Sequence, residues 1–416
     1  MAHRYRLYPT REQERILSRH CADARLVWNA ALEQFNHWRA GLPASPGPAE
    51  RDRQLAEARQ EHEWLAEGSS SVQQQALRDF ARAVANFFAR THGRPEWRKR
   101  GRREGFCVRD VTVRKLNGRW RELTIPKAGR VRFRVSRPLP LGSLGMARVT
   151  LDGRGRWHVS FPGPQPALER EPTGATVGVD RGVAATLACS DGRVLRAPVM
   201  RERERRRLGR LQRRLDRQRK GSRRRERTKR QIAGLHQKVA DRRRNWIEVQ
   251  TTRLVRECNL IAVEDLKVAN MVRRPAAKPD PGRAGAFLAN GARAKAGLNR
   301  SIHAQGWSRW ARRLEEKAEA SGVRVVKVQP AHTSDGCRMC GHQAAENRES
   351  QAVFRCVSCG HTGHADLEAA NNILARALGL APTPGHGGKE ADRLPARVRR
   401  QSWRGGNSRE ELADAA

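Results

Sequence analysis

The sequence predicts an α+β multidomain chain. A helical bundle and a small antiparallel β-barrel precede an α/β domain that is split in sequence and interrupted by a metal-binding insertion. Three observations carry this expectation. The apolar period changes from helical to alternating near residue 104. Two apolar strands, each ending in an acid, are separated by a long basic helical segment. Two Cys-x-x-Cys pairs lie close together after the second strand.

Charge sets the class of partner. The chain has 416 residues, 84 Lys plus Arg against 43 Asp plus Glu, and a formal net charge of +41. At roughly 100–200 residues per domain, this length allows about two to four domains. A chain so basic repels itself unless a polyanion neutralises it, and nucleic acid does so through phosphate contact. No run approaches the ~18 apolar residues of a spanning helix, which argues against membrane insertion. Met1 to Thr10 holds no apolar run of the secretory kind, so a cytoplasmic protein is expected.

The elements follow in order. Residues 3–9 alternate like a strand, and Thr10 with Gln13 has capping-box spacing for a helix. Apolar series from Ile16 to Phe35 and from Val72 to Phe88 make residues 10–92 a helical bundle, with the Pro/Gly-rich loop 41–48 between them. From Phe106 to Phe161 the segments CVRDVTV, RELTIP, RVRFRV, ARVTL and WHVSF alternate between turn signals, as a small antiparallel barrel or sandwich does. Residues 201–258 read as a basic helical hairpin turning at Gly221-Ser222. In 201–230, 17 of 30 residues are Lys or Arg. That density of one sign points to nucleic-acid contact, with Arg205, Arg206, Arg213 and Arg214 as candidates. Residues 272–300 are rich in Gly, Ala and Pro and read as a flexible loop. Residues 381–416 read as a disordered tail.

Three acids stand out. Thr176 to Asp180 (TVGVD) is a short buried-type strand, followed by two further strands around the turn Asp191-Gly192. Leu260 to Val263 (LIAV) leads to Glu264 and Asp265, and a helical crossover between the two strands makes them parallel. Asp180 and Glu264 then sit at the carboxyl ends, where ligands gather in such sheets. Asp265 points to the opposite face. Asp366 opens the helix DLEAANNILARALGL, which can bring a third carboxylate to the pair. Three such acids call for cations, and two Mg²⁺ or Mn²⁺ ions about 3.5–4 Å apart would clamp a phosphodiester. A strand-end Asp, a crossover strand ending in Glu and a helix-borne Asp, in this order, is the ribonuclease H-like nuclease plan. Glu368, two residues beyond Asp366, falls on another helix face.

Cys337, Cys340, Cys356 and Cys359 form two knuckles separated by 15 residues, each followed by Gly. That spacing fits a closed four-cysteine zinc site with a structural role. The insertion could present Arg338 and His342 to nucleic acid.

These residues resemble a family. RYRLYPTREQ, ARLVWNAAL, VGVDRGVAATLACSDG, IAVEDLKVANM, QPAHTSDGCRMCG and FRCVSCGHTGHADLEAANNILARA are similar to TnpB, the transposon-encoded RNA-guided DNA endonuclease related to the type V CRISPR effectors. The resemblance implies a wedge barrel (1–9 and 104–170), a helical recognition domain (10–100) and a RuvC-like nuclease domain (171–332 and 365–380, with the hairpin 201–258). It further implies a zinc ribbon at 333–364. It implies Asp180, Glu264 and Asp366 as catalytic acids, the four cysteines as zinc ligands, a guide RNA from the transposon end, and double-stranded target DNA beside a short motif. The family helix reads Asp-x-Asn where this chain has Glu368, which adds a negative charge near the metals or alters hydrogen bonding at the helix start. Two other readings are a guide-dependent DNA-binding regulator without cleavage and a strand-transfer transposase.

Overall fold

The computed structural model describes residues 2–38, 45–139, 145–283 and 285–380, so the expected tail lies outside the described residues. The chain forms two units, one within residues 1–165 and 200–241, the other within 166–199 and 242–416.

In the first unit, β1 (Ala2–Tyr8) leads into α1 (Arg11–His37), then α2 (Pro48–Glu61), α3 (Glu63–Ala66) and α4 (Ser70–Phe88). The capping box is present: the Thr10 hydroxyl accepts from the Gln13 amide at 3.3 Å, and the Gln13 side chain accepts from the Thr10 amide at 3.1 Å. The Gln13 amide group also donates to the Ala128 and Arg130 carbonyls at 3.1 and 3.0 Å, tying the helix start to the following sheet. Trp28 of α1 packs edge-on against Phe80 of α4, with ring centres 5.3 Å apart.

The strands β2 (Gly105–Arg109), β3 (Val113–Lys115), β4 (Trp120–Ile125), β5 (Gly129–Arg134), β6 (Met146–Leu151) and β7 (Trp157–Pro162) join β1 in one antiparallel sheet. Its order is β2-β6-β7-β1-β5-β4-β3, so the first strand of the chain lies at its centre. Val131 and Phe133 of β5 are buried while Arg130, Arg132 and Arg134 are exposed, as period two requires. The segment CVRDVTV is two strands, not one. Asp110 has φ +53° and breaks the alternation, and β3 begins only at Val113.

The expected hairpin is α5 (Glu202–Asp216) and α6 (Arg223–Glu257), with Gly221 at φ +82° in the turn. Residues 200–241 belong to the first unit, and the rest of α6 to the second.

The second unit is built on a five-stranded sheet of β8 (Thr176–Asp180), β9 (Leu187–Cys189), β10 (Val194–Leu195), β11 (Leu260–Glu264) and β14 (Arg324–Val328), in the order β10-β9-β8-β11-β14. β8, β11 and β14 are parallel; β9 and β10 are antiparallel. β14 and the preceding α9 (Trp307–Ala320) are additions that the sequence reading lacks. One face of the sheet carries Val177, Val179, Ile261 and Val263, packed with Ile247, Leu254, Trp310 and Leu314 of α6 and α9. The other face carries Leu260, Ala262 and Val328 against Ile373 of α10 (Ala365–Ala377).

Residues 272–300 are not a loop throughout. After α7 (Val268–Met271), a short hairpin pairs β12 (Lys278–Pro279) with β13 (Phe287–Leu288), and α8 (Ala292–Gln305) begins in the alanine-rich run, where helix propensity is high.

α6 and α9 are joined by a carboxylate. Glu248 accepts two bonds from Arg313, at 2.8 and 2.9 Å, and pairs with the buried Lys317 at 2.9 Å. Burial works against the ionised carboxylate, but the two cations outweigh it and bring its pKa down to about 2. A depressed carboxylate stabilises the fold above its unfolded pKa of about 4.3, and that contribution is lost as pH falls toward 2. Glu248 is 39 % exposed, so screening reduces the effect. Glu248→Gln should lower stability at neutral pH by about 1–2 kcal/mol and flatten the acid limb between about pH 4 and 2, measured by urea unfolding across pH.

Candidate active site and metal centre

Alternation along the strands decides which side chains meet. Gly178 and Asp180 of β8 face the same side as Ala262 and Glu264 of β11, and α10 covers that side. Gly178 permits the cover: a β-carbon there would lie 2.0 Å from the Ala370 carbonyl oxygen and 2.9 Å from the Leu374 amide. No other residue fits beneath the helix without moving its backbone. Asp366 lies one turn before Ala370, on the same helix face. His364 caps the helix, its ring nitrogen accepting from the Asp366 amide at 3.3 Å.

Glu264 and Asp366 act on Asp180. Glu264 and Asp366 are 7 % exposed. Burial, then the charges of Glu264 and Asp366, push the Asp180 carboxyl up to about 7. Glu264 is also raised, chiefly by burial, although the Thr333 hydroxyl donates to its Oε1 at 2.6 Å. Arg348 donates to Asp366 Oδ1 at 3.0 Å, and the buried Arg181 donates to the Glu264 carbonyl. Oxygen donors brought to one end of the parallel strands, with two of them raising the proton affinity of Asp180, fit hard divalent cations. Asp265 lies apart, half-buried and paired with Lys267 at 2.7 Å.

Thr333, Arg348 and Arg181 were missed by sequence reasoning. Thr333 lies in the motif QPAHTSDGCRMCG, where a small polar residue between two candidate ligand sets was the available signal. The loop carrying it is held by α10: Asn372 donates to the Thr333 and Gly336 carbonyls at 3.0 and 2.8 Å. Nothing in the sequence marks Arg348 as the partner of Asp366.

Glu368 does not join the acids. Arg338 donates to it at 2.9 Å, His361 lies 3.2 Å from its other oxygen, and its side chain packs over Gly363. This corrects the expectation that Glu368 adds charge near the metals. It also engages Arg338, which the sequence offered as a nucleic-acid contact; His342 is exposed.

The cysteine cluster assembles as its spacing requires. One ligand atom from each of Cys337, Cys340, Cys356 and Cys359 lies within 4.8 Å of all the others. The knuckles repeat one geometry. Gly341 and Gly360, at φ +75° and +73°, donate to the Cys337 and Cys356 carbonyls at 2.9 and 3.0 Å. A residue with a β-carbon would be strained at both turns. β15 (Val353–Arg355) and β16 (Thr362–His364) pair across the second knuckle. Burial disfavours the Cys356 thiolate, but the amides of Cys359 and Ser358 prevail and bring the thiol down to about 7. The thiolate is the metal-binding form. Cys21, Cys107, Cys189 and Cys258 are buried elsewhere.

Of the hairpin arginines named from sequence, Arg205 and Arg206 both pair with Glu202, at 2.5 and 3.2 Å. Arg214 donates to Gln231, and Arg213 is exposed.

A basic chain with three converging acids and a four-cysteine cluster has the makings of a metal-dependent enzyme of nucleic acids. Comparison with known proteins agrees. Residues 158–274 match the OrfB family of IS605, described as a probable transposase, residues 307–373 match a Cas12f1-like TNB domain, and residues 1–41 match a helix-turn-helix domain. The chain is 36 % identical to the "Putative RNA-guided DNA endonuclease InsQ" of Escherichia coli K12, over 90 % of this chain and 91 % of that one. It is 32 % identical to a "Putative RNA-guided DNA endonuclease" of Streptomyces pristinaespiralis, over 96 % and 94 %. Its fold is similar to the protein in a Cas12f1–sgRNA–target DNA complex, with a TM-score of 0.53, 12 % identity, and coverage of 88 % of this chain and 83 % of that one. The chain belongs to the TnpB family.

Gly178→Ala should displace α10, cost about 1–3 kcal/mol, and abolish the stabilisation by divalent ions expected of the parent, read as the shift in melting temperature on adding Mn²⁺. Cys337→Ser or Cys356→Ser should lower bound metal measured by mass spectrometry, because a three-ligand site loses binding energy that is also folding energy. Full occupancy in either variant would remove the four-cysteine assignment.

Proposed function

We propose that the chain is an RNA-guided, divalent-metal-dependent DNA endonuclease encoded by a transposable element. It cuts double-stranded DNA beside a short motif, with a guide RNA derived from the transposon end. The observation that supports this reading is that Asp180 and Glu264 end neighbouring parallel strands and Asp366, in the first turn of α10, adds its charge to that of Glu264 on Asp180. Family membership supports it, as do relatives named for RNA-guided DNA cleavage.

In this reading residues 171–332 and 365–380 form a ribonuclease H-like, RuvC-type nuclease domain. The sheet of β1 to β7 is the wedge barrel, and residues 10–100 are the helical recognition domain. Residues 333–364 form a zinc ribbon, with zinc held by the four cysteines in a structural role. The protein works in the cytoplasm. No helix of the described residues is long and apolar enough to cross a membrane.

Mg²⁺ or Mn²⁺ held by Asp180, Glu264 and Asp366 would supply Lewis-acid charge for phosphodiester hydrolysis. The chain's own residues prepare the site. Thr333 fixes the Glu264 carboxylate by its hydroxyl, Arg181 fixes the backbone of the same residue, and Arg348 holds Asp366 in orientation. The guide pairs with one DNA strand, and the protein holds the heteroduplex through shape and charge, as in other RNA-guided effectors. A binding-only regulator is not favoured, since Arg338 and His361 hold Glu368 away from the acids.

Guide-loaded Asp180→Ala should retain target DNA and not cut it, because binding rests on charge and pairing while hydrolysis needs the full ligand set. The parent should cut with Mg²⁺ or Mn²⁺ and stop with chelator. Asp265→Ala should be milder than Glu264→Ala in the same cleavage assay. Normal cutting by Asp180→Ala, or a guide-loaded parent that never cuts, would put a binding protein in place of the nuclease.

A further inference from the structure

A cavity of about 500 Å³ opens between α5, α6 and the turn joining β6 to β7. Arg203, Arg207 and Arg210 line it from one face of α5, at helical spacings of four and three. Lys238 lines it from α6 and Arg154 from the turn, over a floor that includes Gly234 and the buried Leu235. None of these five cationic side chains has a carboxylate partner among the described residues. Arg205 and Arg206, which are not part of the lining, share Glu202. The one acid of the lining, Glu204, is buried and accepts from the Arg201 amide at 3.0 Å.

The cavity is built, not incidental. Asp152 accepts from the Arg154 and Arg156 amides at 2.8 and 3.0 Å and so fixes the turn. Arg156 reaches Asp241 of α6 at 2.9 Å. Gly153 lies against α6, where an added β-carbon would meet Ala233 at 3.6 Å, and one added at Gly234 would meet Arg154 at 4.0 Å. The volume is that of a small-molecule pocket, about 300–1,000 Å³, but such pockets are lined mainly by apolar side chains. Apart from the buried Glu204 the charges of this lining are all cationic and mutually repulsive, and a bound anion would relieve them.

We propose that this cavity seats phosphates of the guide RNA backbone, on the inner face of the hairpin where its cations are unpaired. The proposal rests on the RNA-guided reading and deepens it by naming the site. The guide is the polyanion held before any target is met, so it is the ligand available to cations that stand unneutralised in the free protein.

The test compares two triple variants of equal charge in the full chain. The inner one is Arg203→Gln, Arg207→Gln and Arg210→Gln; the outer one is Arg205→Gln, Arg206→Gln and Arg213→Gln. Glutamine preserves helix propensity, and helical circular dichroism checks the fold. Guide RNA affinity is measured from about 50 to about 200 mM salt. The inner triple should weaken binding and reduce the slope of log K against log salt by about 2, near 0.7 for each phosphate no longer neutralised, and the outer triple by clearly less. Arg154→Gln, off the helices, should reduce the slope by about 0.7, which keeps the proposal testable if the inner triple does not fold. Equal effects of the two triples, or an unchanged slope in Arg154→Gln, would overturn it. An effect of the inner triple on duplex DNA binding without guide, and none on RNA, would assign the cavity to DNA and also overturn it. A parent that binds no guide RNA at all brings down the RNA-guided reading itself. A parent that cuts under guidance while the inner triple behaves like the outer one brings down this site alone.

Discussion

The close approach of α10 to β8 is the constraint on which the second unit depends. Gly178 removes the β-carbon that would otherwise lie 2.0 Å from a helix carbonyl, and α10 answers with Ala369 and Ala370, both buried. A helix set down at that point has its first turn over the strand ends. The carboxylate of that turn, Asp366, is then delivered to Asp180 and Glu264 without any loop having to carry it. One small residue in a strand therefore fixes the placement of an acid nearly two hundred residues away in the chain.

Gathering acids has an electrostatic consequence that depends on surroundings, not on residue type. Glu248 and Asp180 are both carboxylates that burial disfavours. Glu248 faces Arg313 and Lys317 and titrates near 2, whereas Asp180 faces Glu264 and Asp366 and titrates near 7. The first is a completed ion pair that ties α6 to α9. The second is an incomplete arrangement, eased only in part by Arg348. The excess of positive charge elsewhere in the chain does not substitute, because exposed cations are screened over about 10 Å.

Much of this was legible in the sequence, because it was written in local signals. Apolar runs mark β8 and β11 and end in Asp180 and Glu264, and the cysteine spacing specifies its own closed cluster. The helix start at Thr10 follows from a capping box read directly off Thr10 and Gln13. What was not legible lies in long-range contacts. The pairing of Arg348 with Asp366 and of Thr333 with Glu264 joins residues with no mutual pattern. Glu368 looks like a neighbour of the acids because it is near in sequence, yet Arg338 and His361 draw it elsewhere. β14 escapes notice because its RVVKV stretch is short and does not alternate, and the alanine-rich start of α8 reads as loop because glycine and proline nearby dominate the composition.

The insertion carrying the cysteines interrupts the enzyme between its second and third acids, and its attachment explains how it can do so without loosening them. Asn347, fully buried, donates to the Asp335 and His342 carbonyls at 2.8 and 3.1 Å and accepts from the Val357 amide at 2.9 Å, so it joins the two knuckles. The next residue, Arg348, reaches Asp366. On the other side, Asn372 and Arg376 of α10 bind the carbonyls of the loop that leads into the first knuckle, and that loop places Thr333 on Glu264. Two of the three acids are thus held by residues whose own positions depend on the folded insertion. Four cysteines gathered within 4.8 Å of one another close the insertion on itself, apart from the three acids. Its distance in sequence from Asp180 is no measure of its influence on the site.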